Sequence, residues 1–418
     1  VTRDELLTEG VVAKFLRYVA FDTRANEDSD DVPSTPGQRE LALRLKEELF
    51  LMGLEDAYVD DGCIVTAGYN GPVKDCPAIG FIAHMDTAPG VPGNSVKAVV
   101  HRNYQGGDII LASGLVISPF TSPDLKKAIG HDIITSEGET LLGADDKAGI
   151  AEIMEAVCRL VKSREPQCGK VKMAFTCDEE IGRGVSRLKV SDLKADVAYT
   201  LDGGIAGEVE DENFNARNLR LSIFGRSAHP GKARGVMINA MHIAAQLIAA
   251  IPAERRPETT DGRAGFIHPT FIHGDVEQAE LKLIIRDFEE KGLAELNAMV
   301  IGICEDLMRR FPGSLIQTTD TGGYRNMKSY LSVTPKVIAL ALEAISDAGI
   351  EPVVRSIRGG TDGAQLSTMG LPTPNLFTGG ANFHSRSEWI SVQWMEKAVD
   401  VVVNLCRRWA GEKSVKAD

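Results

Sequence analysis

Short apolar runs that break off abruptly into histidine or acidic residues constrain this chain more than any other feature of its sequence. Ala78 to Ala83 ends in His84-Met85-Asp86, and Val171 to Thr176 ends in Cys177-Asp178-Glu179-Glu180. Val197 to Leu201 runs into Asp202-Gly203-Gly204, and Pro374 to Thr378 into two glycines and then His384. Apolar runs of that length read as strands buried on both faces. Lys147 to Lys162 places Ile150, Ile153, Met154, Val157, Leu160 and Val161 on one helical face. Arg39 to Leu51 does the same with Leu41, Leu45 and Leu49. Strands alternating with amphipathic helices imply an α/β sheet that is parallel at least in part. In such sheets, sites form beyond the carboxyl ends of strands. His84, Asp86, Glu179, Glu180, Asp202 and His384 all follow such strands.

From about residue 212 the pattern changes. Asn218 to Phe224 reads as a strand and Val236 to Ile251 as a helix. Phe266 to His273 and Leu281 to Phe288 read as two more strands, Leu293 to Phe311 as a helix and Ser314 to Thr319 as a last strand. That order is the split ferredoxin-like motif. The 418 residues, at roughly 100–200 per domain, therefore divide into two domains. A discontinuous one covers 1–211 and 327–418, and a smaller one at 212–326 is inserted into it.

The net charge of −13 repels phosphate backbones, so nucleic acid is not an expected partner. No apolar stretch has the length of a membrane span, and the acidic start lacks a signal-peptide pattern. The seven cysteines are scattered and never spaced C-x-x-C, which reads as free thiols in a reducing cytoplasm. Serine-nucleophile elbows, phosphate loops, dinucleotide fingerprints and His-Glu-x-x-His helices are all missing.

What remains is a set of acids and histidines. His84 and Asp86 point the same way on an extended chain, so the carboxylate could orient the imidazole as a ligand. Asp145 and Asp146 precede a helix, where two acids could merely cap it. Three acids at 178–180 repel one another unless a cation or bulk water relieves them. Two imidazoles with several carboxylates and no thiolate suit zinc, and also manganese or cobalt. The number of carboxylates favours two ions over one, an arrangement used in amide hydrolysis.

Longer stretches carry a family resemblance. They are Val32-Pro33-Ser34-Thr35, Pro77 to Thr87, Thr140 to Glu152, Asp178-Glu179-Glu180, Asp202-Gly203-Gly204, His229-Pro230-Gly231, Ile284 to Phe288, Arg358 to Gln365 and Asn375 to Gly380. Over essentially its whole length the chain resembles the di-zinc exopeptidases, the family of carboxypeptidase G-type enzymes and aminoacylases. The Arg358 to Gln365 loop points to the aminotripeptidase branch. The resemblance implies an α/β fold: a mixed-sheet catalytic domain with an inserted ferredoxin-like α+β lid. It implies two zinc ions per chain, replaceable by Co²⁺ or Mn²⁺. His84, Asp145 and Asp202 would hold one ion and Asp145, Glu180 and His384 the other, with Asp145 bridging. Asp145 is preferred over Asp146 because the family's Asp-x-Lys spacing counts back from Lys147. Asp86 would orient His84, and Glu179 would be the general base. His229, Arg286 and Arg358 would contact substrate.

The implied reaction is release of the N-terminal residue from tripeptides with a free N-terminus. Other specificities of the family (dipeptidase, carboxypeptidase, N-acyl amidohydrolase) stay open, and a non-catalytic peptide- or metal-binding module is the reading from another class. Some family members dimerise through the lid, so a homodimer is among the expected partners. Two departures stand out: Cys177 replaces an expected proline, and Phe383 an expected tyrosine.

Overall fold

A computed structural model describes residues 1–413; residues 414–418, the end of the expected catalytic domain, lie outside it. The chain forms two compact units. The first comprises Val1–Asp211, Met327–Arg355 and the chain from Thr361 on. The second comprises Glu212–Asn326 and the short return Ser356–Gly360.

The first unit is built on an eight-stranded mixed sheet. Its centre is parallel: Lys170–Thr176 pairs with Ile79–His84, which pairs with Val197–Gly203, which pairs with Asn375–Phe377. Ile79–His84 is buried at every position, which is why its sequence is continuously apolar rather than alternating. Val65–Asn70 joins antiparallel on one side of this block and Glu208–Asn213 on the other. The helix Ala144–Ser163 packs across the central strands and against the C-terminal helix Val392–Ala410. Its run of apolar residues from Ala148 to Leu160 is buried, so one amphipathic helix covers much of one sheet face. A smaller antiparallel sheet of Ala98–His101, Ile133–Ser136, Trp389–Ser391 and Gly380–Ala381 carries the hairpin that contains His384.

The second unit follows the expected order: strand Asn215–Phe224, helix Ala240–Ala250, strands Phe266–Gly274 and Gln278–Asp287, helix Glu290–Arg310, strand Leu315–Asp320. Its four strands pair antiparallel. Leu219, Leu221, Ile223, Leu281, Leu283 and Ile285 meet the apolar faces of both helices in one core. The helix from 236 begins later than its apolar pattern suggests, at Ala240. Asn239 caps it there by accepting the backbone N–H groups of Met241 and His242.

Candidate metal centre

The parallel strands deliver their carboxyl ends to one edge. His84 lies opposite Thr176 in the ladder, so the residues after both strands emerge together. Asp202 ends the neighbouring strand. Asp145 enters at the start of the Ala144–Ser163 helix, where Gly143 is left-handed at φ 84° and Asp145 itself is non-helical at φ −87°, ψ 102°. That break turns the Asp145 carboxylate out of the helix and toward the sheet edge. His384 arrives from the hairpin with φ 57°.

The side chains form two groups that share Asp145. In the first, His84 Nε2 lies 3.0 Å from Asp145 Oδ1 and 3.4 Å from Asp202 Oδ1. In the second, His384 Nε2 lies 3.0 Å from Asp145 Oδ2 and 2.9 Å from Glu180 Oε2. In each group one ligand atom per residue falls within 4.8 Å of the others. Asp146 is not in either group: its two oxygens accept the backbone N–H groups of His84, at 3.1 Å, and Gly149, at 3.3 Å.

The electrostatics describe a place for cations. Burial raises the Asp202 carboxyl to about 6 and the neighbouring Asp145 charge opposes it further, against relief from His84. Burial and Asp145 raise Glu180 to about 7, with His384 easing it. Bonds from Asp145 and Glu180 lift His384 to about 11. Burial works against a charged His84, but Asp145, Asp202 and Asp86 outweigh it and raise its pKa. One oxygen of Glu180, Oε1, is buried with no hydrogen-bond partner. Carboxylates crowded to this degree and an orphaned acceptor fit a bound cation, and the nitrogen and oxygen donor set suits zinc, cobalt or manganese.

A further ring of buried groups fixes these side chains. Asp86 accepts the backbone N–H of Glu179 on Oδ1 and that of Glu180 on Oδ2, both at 3.0 Å. Its carboxylate lies 3.4 Å from His84 Nδ1, whose nearer partner is the backbone oxygen of Asp86 at 3.1 Å. Asp178 turns away from the centre: its backbone is left-handed, and its carboxylate accepts from Ser34 and from Gln38 Nε2. Of the triplet, Glu180 joins a donor group, Asp178 is held by Ser34 and Gln38, and Glu179 is left to neither. Burial of its carboxyl, with Asp362, Asp202 and Glu180 nearby, pushes its pKa up despite His84.

Sequence reasoning missed three of these supports. Glu388 is buried and accepts the N–H groups of Leu142, Gly143 and Asp145 at 2.8, 2.8 and 3.1 Å. Asn375 accepts the Asp202 N–H at 3.1 Å. Asp362 is buried and accepts the Thr176 hydroxyl at 2.8 Å. Asn375 and Asp362 both lie in stretches that carry the family resemblance, which was a usable signal; Glu388 offered none.

The three expected substrate residues belong to the second unit. His229 is exposed, and its Nδ1 accepts the Gly231 N–H. Arg286 donates to Asn218 Oδ1 at 3.1 Å and lies 5.1 Å from the Tyr324 ring. Arg358 donates to the backbone oxygens of Gly262, Ala264 and Thr260 and to the Thr260 hydroxyl. Its guanidinium lies 5.1 Å from the Phe214 ring and 5.7 Å from that of Phe266. A substrate carboxylate would have to compete with those bonds.

Residues 137–408 match the model of peptidase family M20/M25/M40. The chain belongs to that peptidase family. Its relatives include a protein named Peptidase T from Desulfitobacterium hafniense strain Y51, 45% identical over 406 residues, covering 97% of this chain and 99% of the relative. A Peptidase T from Clostridium perfringens strain 13 is 44% identical over 398 residues, 95% and 98% of the two chains. Among solved structures, aminopeptidase PepT of Bacillus cereus superposes with a TM-score of 0.74 at 23% identity, covering 98% and 99% of the two chains. A tripeptidase from Staphylococcus aureus gives 0.74 at 21%, covering 96% and 98%. A Bacillus subtilis protein described as a dinuclear metal-binding peptidase of the M20 family gives 0.60 at 14%, covering 97% and 98%. The fold described above is thus the M20 fold, and the chain is a peptidase. Among the described residues no helix is long and apolar enough to cross a membrane.

Proposed function

We propose that this chain is a metal-dependent aminopeptidase that releases the N-terminal residue from tripeptides. The observation that carries the reading is the pair of donor groups sharing Asp145, with the unclaimed Glu179 beside them. Near-full-length identity of 45% to proteins named Peptidase T supports the tripeptide assignment. His84, Asp145 and Asp202 would hold one ion and Asp145, Glu180 and His384 a second, zinc in the first instance. When bound, such a pair polarises the scissile carbonyl and makes water acidic enough to deprotonate near neutral pH.

The remaining work falls to the chain. Glu179 takes the proton from the attacking water and delivers it to the leaving amine, a role suited to a carboxyl whose pKa burial raises. Asp86 holds the backbone of Glu179 and Glu180 through its two oxygens, so base and ligand keep a fixed spacing. Glu388 holds the turn that aims Asp145. His229, Arg286 and Arg358 carry the proposed contacts to the substrate carbonyl oxygen and carboxylate, on the strength of the family resemblance.

Metal analysis of purified protein, with a panel of di-, tri- and tetrapeptides and an N-acetylated tripeptide, tests the reading. Two equivalents of metal and preferred cleavage of the free tripeptide are expected. Equal cleavage of the N-acetylated peptide would exclude an aminopeptidase, and a single equivalent at full activity would exclude the two-ion centre.

A further inference from the structure

Two cysteines meet directly behind the acidic triplet. The strands Val65–Asn70 and Lys170–Thr176 pair antiparallel, with Val65 opposite Phe175 as the outermost pair. Two residues further out on each chain stand Cys63 and Cys177. Cys63 is left-handed at φ 62°, and the Cys177 thiol donates to the Gly62 oxygen at 3.3 Å. Both thiols are free and buried. Contact with the Cys177 thiol holds Cys63 below the ordinary thiol range; burial opposes this and Arg39 adds to it. Contact with Cys63 and burial hold Cys177 up. Arg39 favours the Cys63 thiolate, and the Cys177 proton is engaged by the Gly62 oxygen, so Cys63 is taken as the attacking sulfur.

We propose that Cys63 and Cys177 are a modification site at which a hydroperoxide drives formation of a disulfide that displaces Glu179 and lowers turnover. The Cys63 thiolate attacks one peroxide oxygen, the O–O bond breaks, and a sulfenic acid and hydroxide result. The hydroxide takes a proton and leaves as water. Cys177 sulfur then attacks the sulfenic sulfur, the S–O bond breaks, and that oxygen leaves as water with the Cys177 proton. Two thiols are oxidised and one hydrogen peroxide is reduced to two waters. Burial limits the site to small oxidants and makes it respond to sustained exposure.

The link to turnover is mechanical. Unbonded sulfurs must close by more than about 1 Å to reach the roughly 2.05 Å of a disulfide. Cys177 is two residues from Glu179, and the intervening Asp178 is clamped by Ser34 and Gln38. Displacement of a reacting group by about 1 Å costs on the order of 10²-fold in rate. A second pair in contact, Cys168 and Cys406, sits at the opposite end of the same strand and serves as an internal comparison. The cross-link stands apart from the proposed function, whereas its effect on turnover rests on Glu179 as the base.

The test treats zinc-loaded protein with hydrogen peroxide, then measures tripeptide turnover, metal content and cross-linked peptides by mass spectrometry after alkylation. The expected result is a peptide joining Cys63 to Cys177, metal retained, kcat reduced about 10²-fold, and recovery with dithiothreitol. Cys63→Ser, or Cys63→Ala if the serine variant fails to fold, should keep its activity under peroxide even when Cys168 and Cys406 oxidise. Absence of the Cys63–Cys177 peptide, unchanged kcat with the cross-link formed, equal loss in the Cys63 variants, or metal ejection accompanying the cross-link would each overturn the proposal. Untreated protein that cleaves no tripeptide would instead sink the proposed function and leave the cross-link to be judged by mass alone.

Discussion

Asp86 grips the backbone of Glu179 with a hydrogen bond of 3.0 Å to Oδ1, while its other oxygen takes the N–H of Glu180 at the same distance. An aspartate can accept both because it carries no donor when ionised. Asp86→Asn retains one acceptor and turns an NH₂ group toward the other N–H. Hydrogen bonds to charged groups are worth about 1.5–3 kcal/mol, so kcat should fall roughly 10- to 100-fold. Steady-state kinetics at saturating metal checks this, and an unchanged kcat would show that the backbone grip is dispensable.

Glu179→Gln preserves shape and removes the basic oxygen. Metal stoichiometry should stay at the wild-type value while turnover drops at least about 10²-fold, the scale of general-base catalysis. Near-normal turnover would take Glu179 out of the proposed mechanism.

Glu388 supports Asp145 without joining either donor group. Glu388→Gln should lower metal affinity about 10- to 100-fold, as expected for loss of an orienting partner, with kcat recovered at high metal concentration. Chelator competition provides the affinity. A kcat that stays low at saturating metal would place Glu388 closer to the chemistry than its contacts indicate.

Metal and pH should act together on stability. In the metal-free chain burial raises Asp202 to about 6, and Glu180, Glu388 and Asp362 each to about 7. Ordinary carboxyls in the unfolded chain titrate near 4, so between about pH 5 and 8 the folded state binds more protons. His384, lifted to about 11 by Asp145 and Glu180, contributes stability that is full below its unfolded pKa and lost as pH rises. Both terms have the same sign, and stability of the metal-free protein should fall from pH 5 to 8. Metal binds the deprotonated ligands, so the rise in Tm on adding zinc should be larger at pH 8 than at pH 6. A metal-induced shift that is equal at both values would contradict the charge assignments.

Away from the centre, Lys14 is fully buried and donates to Glu155 at 2.9 Å and to the Leu6 oxygen at 3.1 Å. Lys14→Met leaves Glu155 with Arg159 Nε alone, at 3.0 Å, and should cost less than the roughly 3–5 kcal/mol of a fully stranded buried charge, whereas adding Glu155→Leu should return part of it. Urea unfolding of the single and double variants separates the two cases; equal losses would mean that packing, not charge, dominates.

The legibility of the fold followed burial. A strand covered on both faces must be apolar throughout, so Ile79–His84 and Lys170–Thr176 announce themselves, and a polar residue after them marks the sheet edge. His84, Glu180, Asp202 and His384 were readable for that reason, because each comes after an apolar run stops; Asp145, at a helix start, was not. The choice between Asp145 and Asp146 was not readable from pattern alone. It depends on a backbone break at the helix start that directs one carboxylate outward and the other onto the His84 and Gly149 N–H groups. Glu388 lies 243 residues from Asp145, and no local periodicity separates it from the other acids. The short return at 356–360 was also missed, because five residues carry too little pattern to assign them to either unit.

That return changes how the second unit can be handled as a module. Arg358 fastens the 260–264 segment and covers Phe214 and Phe266, yet it comes from chain that lies beyond the long insertion. A gene fragment cut cleanly at 212 and 326 leaves behind the residue that closes its own aromatic cluster. Recombination or transplantation of this module between relatives therefore has two inheritance units, a long one and a very short one. Chimeras that carry only the first should express poorly until residues 356–360 travel with it.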